Sequence, residues 1–161
     1  MARELLGKYL VRNDGGIIKK ARIVETEAYL GPHDLACHSS KGVTERTRVM
    51  FGPPGHAYVY MIYGMYYCMN VVTGPEGCGA AVLLRGVEPV SNMEGRTCGP
   101  GLLSRAMNID TGLNSADLLG NDIFIIDPET EEEFSVASGP RIGVDYAGRW
   151  ANRRLRFYIK R

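Results

Sequence analysis

The run AYVYMIYGMYYCMNVV, residues 57–72, constrains this chain more than any other stretch. It is almost wholly β-branched, aromatic and thioether side chains, which favour the pleated surface of a strand. Gly64 interrupts it, and the run reads as a β-hairpin broken there. A lone hairpin is marginal in water, so this one commits the chain to an antiparallel sheet. Its register has two solutions. A two-residue loop at Gly64-Met65 pairs Tyr60 with Met69 and leaves Asn70 on the opposite face. A three-residue loop at Tyr63–Met65 pairs Tyr60 with Cys68 and puts Tyr60 and Asn70 on one face.

The rest of the chain offers such a sheet its partners. KYLVRN and GGIIKKARIVETEAY read as two strands joined at Asn-Asp-Gly-Gly. AAVLLRGVEPV reads as a buried strand, and NDIFIID, EFSVAS, RIGV and LRFYIK as further short ones. Helical signals are few: residues 4–7, a turn around Thr44–Phe51, and CGPGLLSRAMNI, with Pro100 near its start and Leu103, Ala106 and Met107 at helical spacing. Residues 31–56 are otherwise irregular, broken by Gly31-Pro32 and Gly52-Pro53-Pro54-Gly55. The expected fold is a mixed α+β single domain over residues 1–161, a largely antiparallel sheet with flanking helices. No Walker or GxGxxG loop is present, which argues against a nucleotide cofactor.

The segment RIVETEAYLGPHDLACHSS, residues 22–40, starts as a strand and carries unusual titratable chemistry. If the alternation persists, Ile23, Glu25, Glu27 and Tyr29 share a face. Carboxylates there are costly unless paired or hydrated, so one of them is a candidate general base in a wet cleft. Periodicity does not choose between Glu25 and Glu27.

Tyr58, Tyr60, Tyr63, Tyr66 and Tyr67 crowd into ten residues. Phenol rings stack on planar ligands and tolerate water at their edges. Tyr63, beside Gly64, falls at the hairpin tip, where an aromatic ring projects outward and can wedge into a base stack.

Net charge is +1, yet residues 127–133, DPETEEE, hold five acids, leaving +6 on the remainder. Positive charge gathers at Lys19, Lys20 and Arg22, at Lys41, Arg46 and Arg48, and over Arg153–Arg161, a pattern suited to a phosphate backbone. The acidic run reads as an exposed loop away from any polyanion. Cys37, Cys68, Cys78 and Cys98 form no CxxC pair and read as reduced, mostly buried thiols. No zinc signature occurs, so no metal is expected. With no long apolar run and no apolar core in MARELLGKYLVR, the expected setting is intracellular, with no membrane partner. A carboxylate, stacked tyrosines, a tip aromatic and a basic footprint together describe an enzyme acting on a nucleobase extruded from a duplex. A zinc deaminase lacks its metal signature here, which leaves hydrolysis of the glycosidic bond.

RIVETEAYLG, HSSKGVTERTRVMF, PGHAYVYMIYGMYYCMNVV, AAVLLRGVEP, CGPGLLSRAMNI and RIGVDYAG with Trp150 resemble the alkyladenine (3-methyladenine) DNA glycosylase family, in order along the whole chain. The resemblance implies a curved antiparallel sheet like the formyltransferase C-terminal domain. It implies a monomer acting on double-stranded DNA that contains damaged purines, with neither cofactor nor lyase chemistry. It also implies roles. Glu27 is the general base, with Arg85 holding the water and carboxylate. Tyr29, His38 and Tyr60 stack on the base, and Asn70 obstructs the 2-amino group of guanine. Tyr63 inserts into the minor groove, and Met65 and Tyr66 line the intercalation site. Glu25, His33 and Asp34 fall to structural or surface roles. The chain departs from the family at Arg46-Thr47, where Arg-Asn is usual, and in a short segment from Val90 to Cys98. A catalytically silent lesion binder or an RNA-binding module on the same fold is the alternative, and Glu27 with Tyr63 argues against both.

Overall fold

The computed structural model describes residues 1–130 and 132–160; Glu131 of the acidic run and Arg161 of the C-terminal basic run lie outside the described residues. Among the described residues, eight strands form one antiparallel sheet: β1 (Tyr9–Asp14), β2 (Ile17–Tyr29), β3 (Ala57–Ile62), β4 (Tyr66–Thr73), β5 (Ala80–Ser91), β6 (Ile123–Ile126), β7 (Val136–Gly139) and β8 (Arg156–Ile159). The order is β3-β4-β5-β2-β1-β6, and the sheet branches at β2. The first half of β2 pairs with β1, while Glu25, Thr26 and Glu27 pair with β8, which in turn carries β7. The β1–β2 loop is Gly15-Gly16, with φ of 59° and 94°, a conformation that requires residues free of Cβ strain.

The 57–72 run is the hairpin expected, with the three-residue loop. Tyr60 opposes Cys68 and Ile62 opposes Tyr66. Val59, Met69 and Val71 turn into the main core, and Tyr58, Tyr60, Cys68 and Asn70 turn the other way. One α-helix is present among the described residues, α1 (Pro100–Ala106), started by its proline. Leu103 and Met107 enter the core, and Gly101 lets the helix approach Tyr66, where a Cβ would come within 3.0 Å of the ring. His38–Lys41 and Arg48–Phe51 are 3-10 turns in the otherwise irregular 31–56 stretch. No helix of the described residues is long and apolar enough to cross a membrane.

Three local expectations are corrected. Residues 4–7 form turns instead of a helix, ending at Gly7 with φ of 85°. RIGV is not a strand, because its polar groups serve the site instead of a ladder. Ile23 does not share a face with Glu25, Glu27 and Tyr29. The pairing of β2 with β5 slips between Ile23 and Glu25 and again between Glu25 and Thr26. These irregularities reset the alternation, so that Ile23 and Ala28 pack into the main core while Tyr29 packs into the two smaller clusters opposite. A bulge beside a site commonly re-aims a side chain in this way.

Candidate active site

Behind the main core, the second face of the β3–β4 hairpin, β5, the N-terminus of α1 and the loops around residues 36–50 and 142–146 enclose a cavity of about 350 Å³. Its lining includes Tyr29, His38, Tyr58, Tyr60, Asn70 and Arg85, with Tyr63 at the rim.

Glu27 lies beneath this cavity and has no exposed surface. Its carboxylate is surrounded by donors: Ile142 N–H reaches Oε1 at 2.8 Å, Tyr29 O–H reaches Oε2 at 2.9 Å, and Arg85 Nη1 stands 3.5 Å from Oε1. Burial raises the Glu27 pKa above the ordinary value, and the Arg85 charge and the two hydrogen bonds offset only part of that. Tyr29, Arg85 and Ile142, the donors to Glu27, all line the cavity, so the carboxylate is one side-chain layer from its interior. Burial first, then the neighbouring Glu27 charge, pushes the Tyr29 phenol upward, so it remains a neutral donor.

Arg85 sits where the β2–β5 register is irregular, between Leu84, which pairs with Thr26, and Gly86, which pairs with Glu25. Its Nε donates to Glu25 Oε1 at 3.2 Å, so one guanidinium joins both carboxylates. Glu25 is therefore no surface residue, which sharpens the role expected for it.

The other wall is aromatic. His38 and Tyr60 rings lie 4.6 Å apart between centroids at 60°, and Tyr58 lies 5.2 Å from Tyr60. His38 Nδ1 shares a hydrogen bond with the Tyr58 hydroxyl at 2.9 Å. Burial, helped by the Arg46 charge, pulls the His38 pKa down to about 4, so the ring is neutral at physiological pH. Asn70 is buried on the same face as Tyr60, as the three-residue loop requires, and its Nδ2 donates to the Tyr58 carbonyl at 3.0 Å. Tyr63 is 89% exposed at the tip with φ of 51°, an unusual conformation for a bulky residue. Met65 is exposed and Tyr66 half-buried, and neither lines this cavity. They face a neighbouring groove shared with Gly101, Ser104 and Arg105.

Sequence reasoning missed what joins the loops. Asp34 and Arg141 side chains are both fully buried in a two-pronged pair, with Nη1–Oδ2 at 2.5 Å and Nη2–Oδ1 at 2.9 Å. Asp34 also accepts from Leu30 N–H at 3.2 Å and Ala36 N–H at 3.1 Å, and Arg141 donates to the Ala28 carbonyl at 2.8 Å. The Arg141 guanidinium stands 4.7 Å from the Tyr29 ring centroid. Burial alone would raise the Asp34 pKa, but these hydrogen bonds hold it below the ordinary value. Asp34 is thus the structural residue expected, not a surface one, whereas His33 is exposed and edges Trp150 with centroids 5.6 Å apart. Tyr58 and the Ile142 amide were likewise unassigned; only the position of Tyr58 one period from Tyr60 hinted at it.

The described acids of the acidic loop, Asp127, Glu129, Glu132 and Glu133, are exposed, and the loop meets Lys8 through Asp127 and Arg22 through Glu132 at 3.0 Å. Cys37 and Cys68 are buried, Cys78 is half-buried and Cys98 is exposed, all as free thiols. No group of three His, Cys, Asp or Glu among the described residues is placed to hold a metal ion.

Chemically, the arrangement offers flat walls for a planar ligand and a carboxylate of raised basicity fixed by a cation and two donors. The Methylpurine-DNA glycosylase (MPG) family matches over residues 1–161. A protein of Legionella pneumophila (strain Corby) named "Putative 3-methyladenine DNA glycosylase" is 65% identical over 160 residues, which is 99% of this chain and 87% of that protein. Proteins of the same name from Anaeromyxobacter dehalogenans (strain 2CP-1) and Myxococcus xanthus (strain DK1622) are 54% and 52% identical, each over 99% of this chain and over 76% and 84% of their own lengths.

Proposed function

We propose, from the premise that this chain belongs to the methylpurine-DNA glycosylase family, that it flips a damaged purine out of duplex DNA and hydrolyses its N-glycosidic bond. The observation that carries the reading is Glu27, a carboxylate buried under a tyrosine-walled cavity and held by Arg85, Ile142 N–H and Tyr29 O–H. In the bound state a water between Glu27 and the sugar gives its proton to the carboxylate. Its oxygen bonds to C1′, and the C1′–N bond breaks with its electron pair leaving on the purine. The product is an abasic site. Glu27 is enclosed before substrate enters, and catalytic contacts of this kind commonly form only in the complex.

Tyr29, Tyr60 and His38 are the stacking walls, and Asn70 is the side chain that crowds a 2-amino group. Alkylation at N3 or N7 makes the purine cationic and a good leaving group. Stacking a cation on tyrosine is worth about 0.5–2 kcal/mol. That gain sits at the lower end here, because guanidiniums already lie over both rings, Arg141 over Tyr29 and Arg46 4.9 Å from the Tyr60 centroid. Discrimination among alkylated purines then rests mainly on leaving-group ability, which suits 3-methyladenine and 7-methylguanine. Hypoxanthine and ethenoadenine, the neutral members of the proposed class, leave only with help at the departing purine, and no acid is assigned to that step. Tyr63 is the wedge that fills the vacated stack, with Met65 and Tyr66 flanking it on the minor-groove side. The same reading makes the protein an intracellular monomer without lyase activity.

The test is alkali-labile site formation on a duplex carrying hypoxanthine or ethenoadenine. Glu27→Gln is expected to lose on the order of 10²–10⁴-fold in single-turnover rate, the range of a general base. Equal release by wild type and Glu27→Gln would refute the assignment.

A further inference from the structure

Glu27 does not stand in isolation; it belongs to a closed ring of contacts that crosses three strands and one loop. Arg85, on β5, touches Glu27 through Nη1 at 3.5 Å and donates through Nε to Glu25 Oε1 at 3.2 Å. The same Oε1 accepts from Arg156 Nη1, on β8, at 3.0 Å. Arg156 Nε donates to the Pro140 carbonyl at 3.0 Å. Two residues on, Ile142 N–H returns to Glu27 Oε1 at 2.8 Å. With both carboxylates ionised the ring is neutral: two anions and two cations alternate around it. The side chains of Glu25, Arg85 and Arg156 are 15%, 12% and 23% exposed, so the ring is largely screened from water.

We propose that Glu25 and Arg156 are positioning residues of this site, Glu25 aiming Arg85 at Glu27 and Arg156 anchoring the segment that delivers the Ile142 amide to it. The inference rests on the reading of Glu27 as the base. Three features favour it over a generic ion pair. Arg85 lies at a register irregularity, so the ladder alone does not aim its side chain, and its Nε has Glu25 as acceptor. The 140–142 segment is irregular, with no strand pairing to hold Ile142, and Arg156 is a side chain that grips its backbone. Glu25 pairs with Tyr158 across β2 and β8, and Arg156 stacks 4.9 Å from the Tyr158 ring centroid, which limits the freedom of the guanidinium.

Removing the charge of Glu25 and removing its acceptor act on Glu27 in opposite directions. The Glu25 charge disfavours ionisation of Glu27, and the Arg85 charge favours it. The other charged or titratable groups facing these side chains are Arg141, whose cation couples to Glu27, Tyr158, which lies against Arg156, and Tyr29 and Cys68, both raised by burial so that neither titrates in the acid range. In Glu25→Gln the amide oxygen still accepts from Arg85 and Arg156 while the anion is gone, so the acid limb of single-turnover rate against pH moves to lower pH. In Glu25→Ala, Arg85 loses its acceptor and swings off Glu27; the limb moves to higher pH, and the rate falls by about 10–100-fold, the scale seen when a group orienting a catalytic ligand is lost. Glu25→Gln recovers a substantial part of that loss.

The experiment is the pH–rate profile of both variants on a hypoxanthine duplex, with thermal melts to establish folding. Arg156→Lys is the companion variant: it keeps the charge, yet a single ammonium cannot hold both Glu25 and the Pro140 carbonyl in this geometry. Its limb is also expected to move up, with a slower rate. Limb shifts of the same sign in Glu25→Gln and Glu25→Ala, or an Arg156→Lys profile that superimposes on wild type, would overturn the proposal. Failure of the underlying reading looks different, since Glu27→Gln would then excise as fast as wild type whatever Glu25 does.

Discussion

Asp34→Ala is expected to be among the costliest single substitutions in this chain, and the cost follows from geometry. Asp34 accepts four hydrogen bonds, two from Arg141 and one each from the Leu30 and Ala36 amides, and neither side chain of the ion pair is exposed. Removing the carboxylate leaves a buried guanidinium whose remaining hydrogen-bond acceptors among the described residues are the Ala28 and Trp150 carbonyls, at 2.8 and 3.4 Å. Breaking one side of such a pair costs about 3–5 kcal/mol. For a domain of this size each kcal/mol lowers Tm by roughly 2–4 °C, so the expected fall is on the order of 6–20 °C. The double variant Asp34→Ala/Arg141→Met removes both charges and is expected to melt above the single one, because no unpaired ion remains. The pH dependence has a definite sign. The folded-state pKa of Asp34 is depressed, so its contribution is fully present above about pH 4 and is lost as pH falls through the folded value. The gap between wild type and variant therefore narrows in acid. Thermal denaturation followed by circular dichroism measures all of this. An Asp34→Ala protein melting within about 3 °C of wild type, or a double variant no more stable than the single, would refute the argument.

Tyr63→Ser is expected to leave Tm nearly unchanged, since the ring is 89% exposed, but to slow excision from duplex more than from single-stranded DNA carrying the same lesion. Equal slowing on both substrates would count against a wedge. The His38 ring should show no protonation step between about pH 5.5 and 8 by NMR, because burial and Arg46 hold its pKa at about 4; a midpoint near the ordinary histidine value would contradict the packing described.

Much of the fold was legible because it is local. The 57–72 hairpin, the Gly15-Gly16 turn, the buried β5 and the proline-started α1 all follow from side-chain shape and turn chemistry within a few residues. Tyr63 at the tip was legible for the same reason. Read from the residues alone, the site was legible only as a list of residue types; the roles of Glu27 and Arg85 came from the family resemblance. Alternation along β2 left Glu25 and Glu27 equivalent and wrongly placed Ile23 on their face, because the slip against β5 is a property of two strands about sixty positions apart in the chain.

The sequence by itself determined that this chain builds an antiparallel sheet with an aromatic hairpin, and through its motifs to which family it belongs. Those features depend on neighbours along the chain, or on patterns long enough to be recognised. Tertiary structure alone decided that Arg85 also grips Glu25, that the Ile142 amide reaches Glu27, and that Asp34 needs Arg141 more than a hundred residues away. Burial and long-range pairing set the cost of a charge, and neither quantity is written in the spacing of residues along one strand.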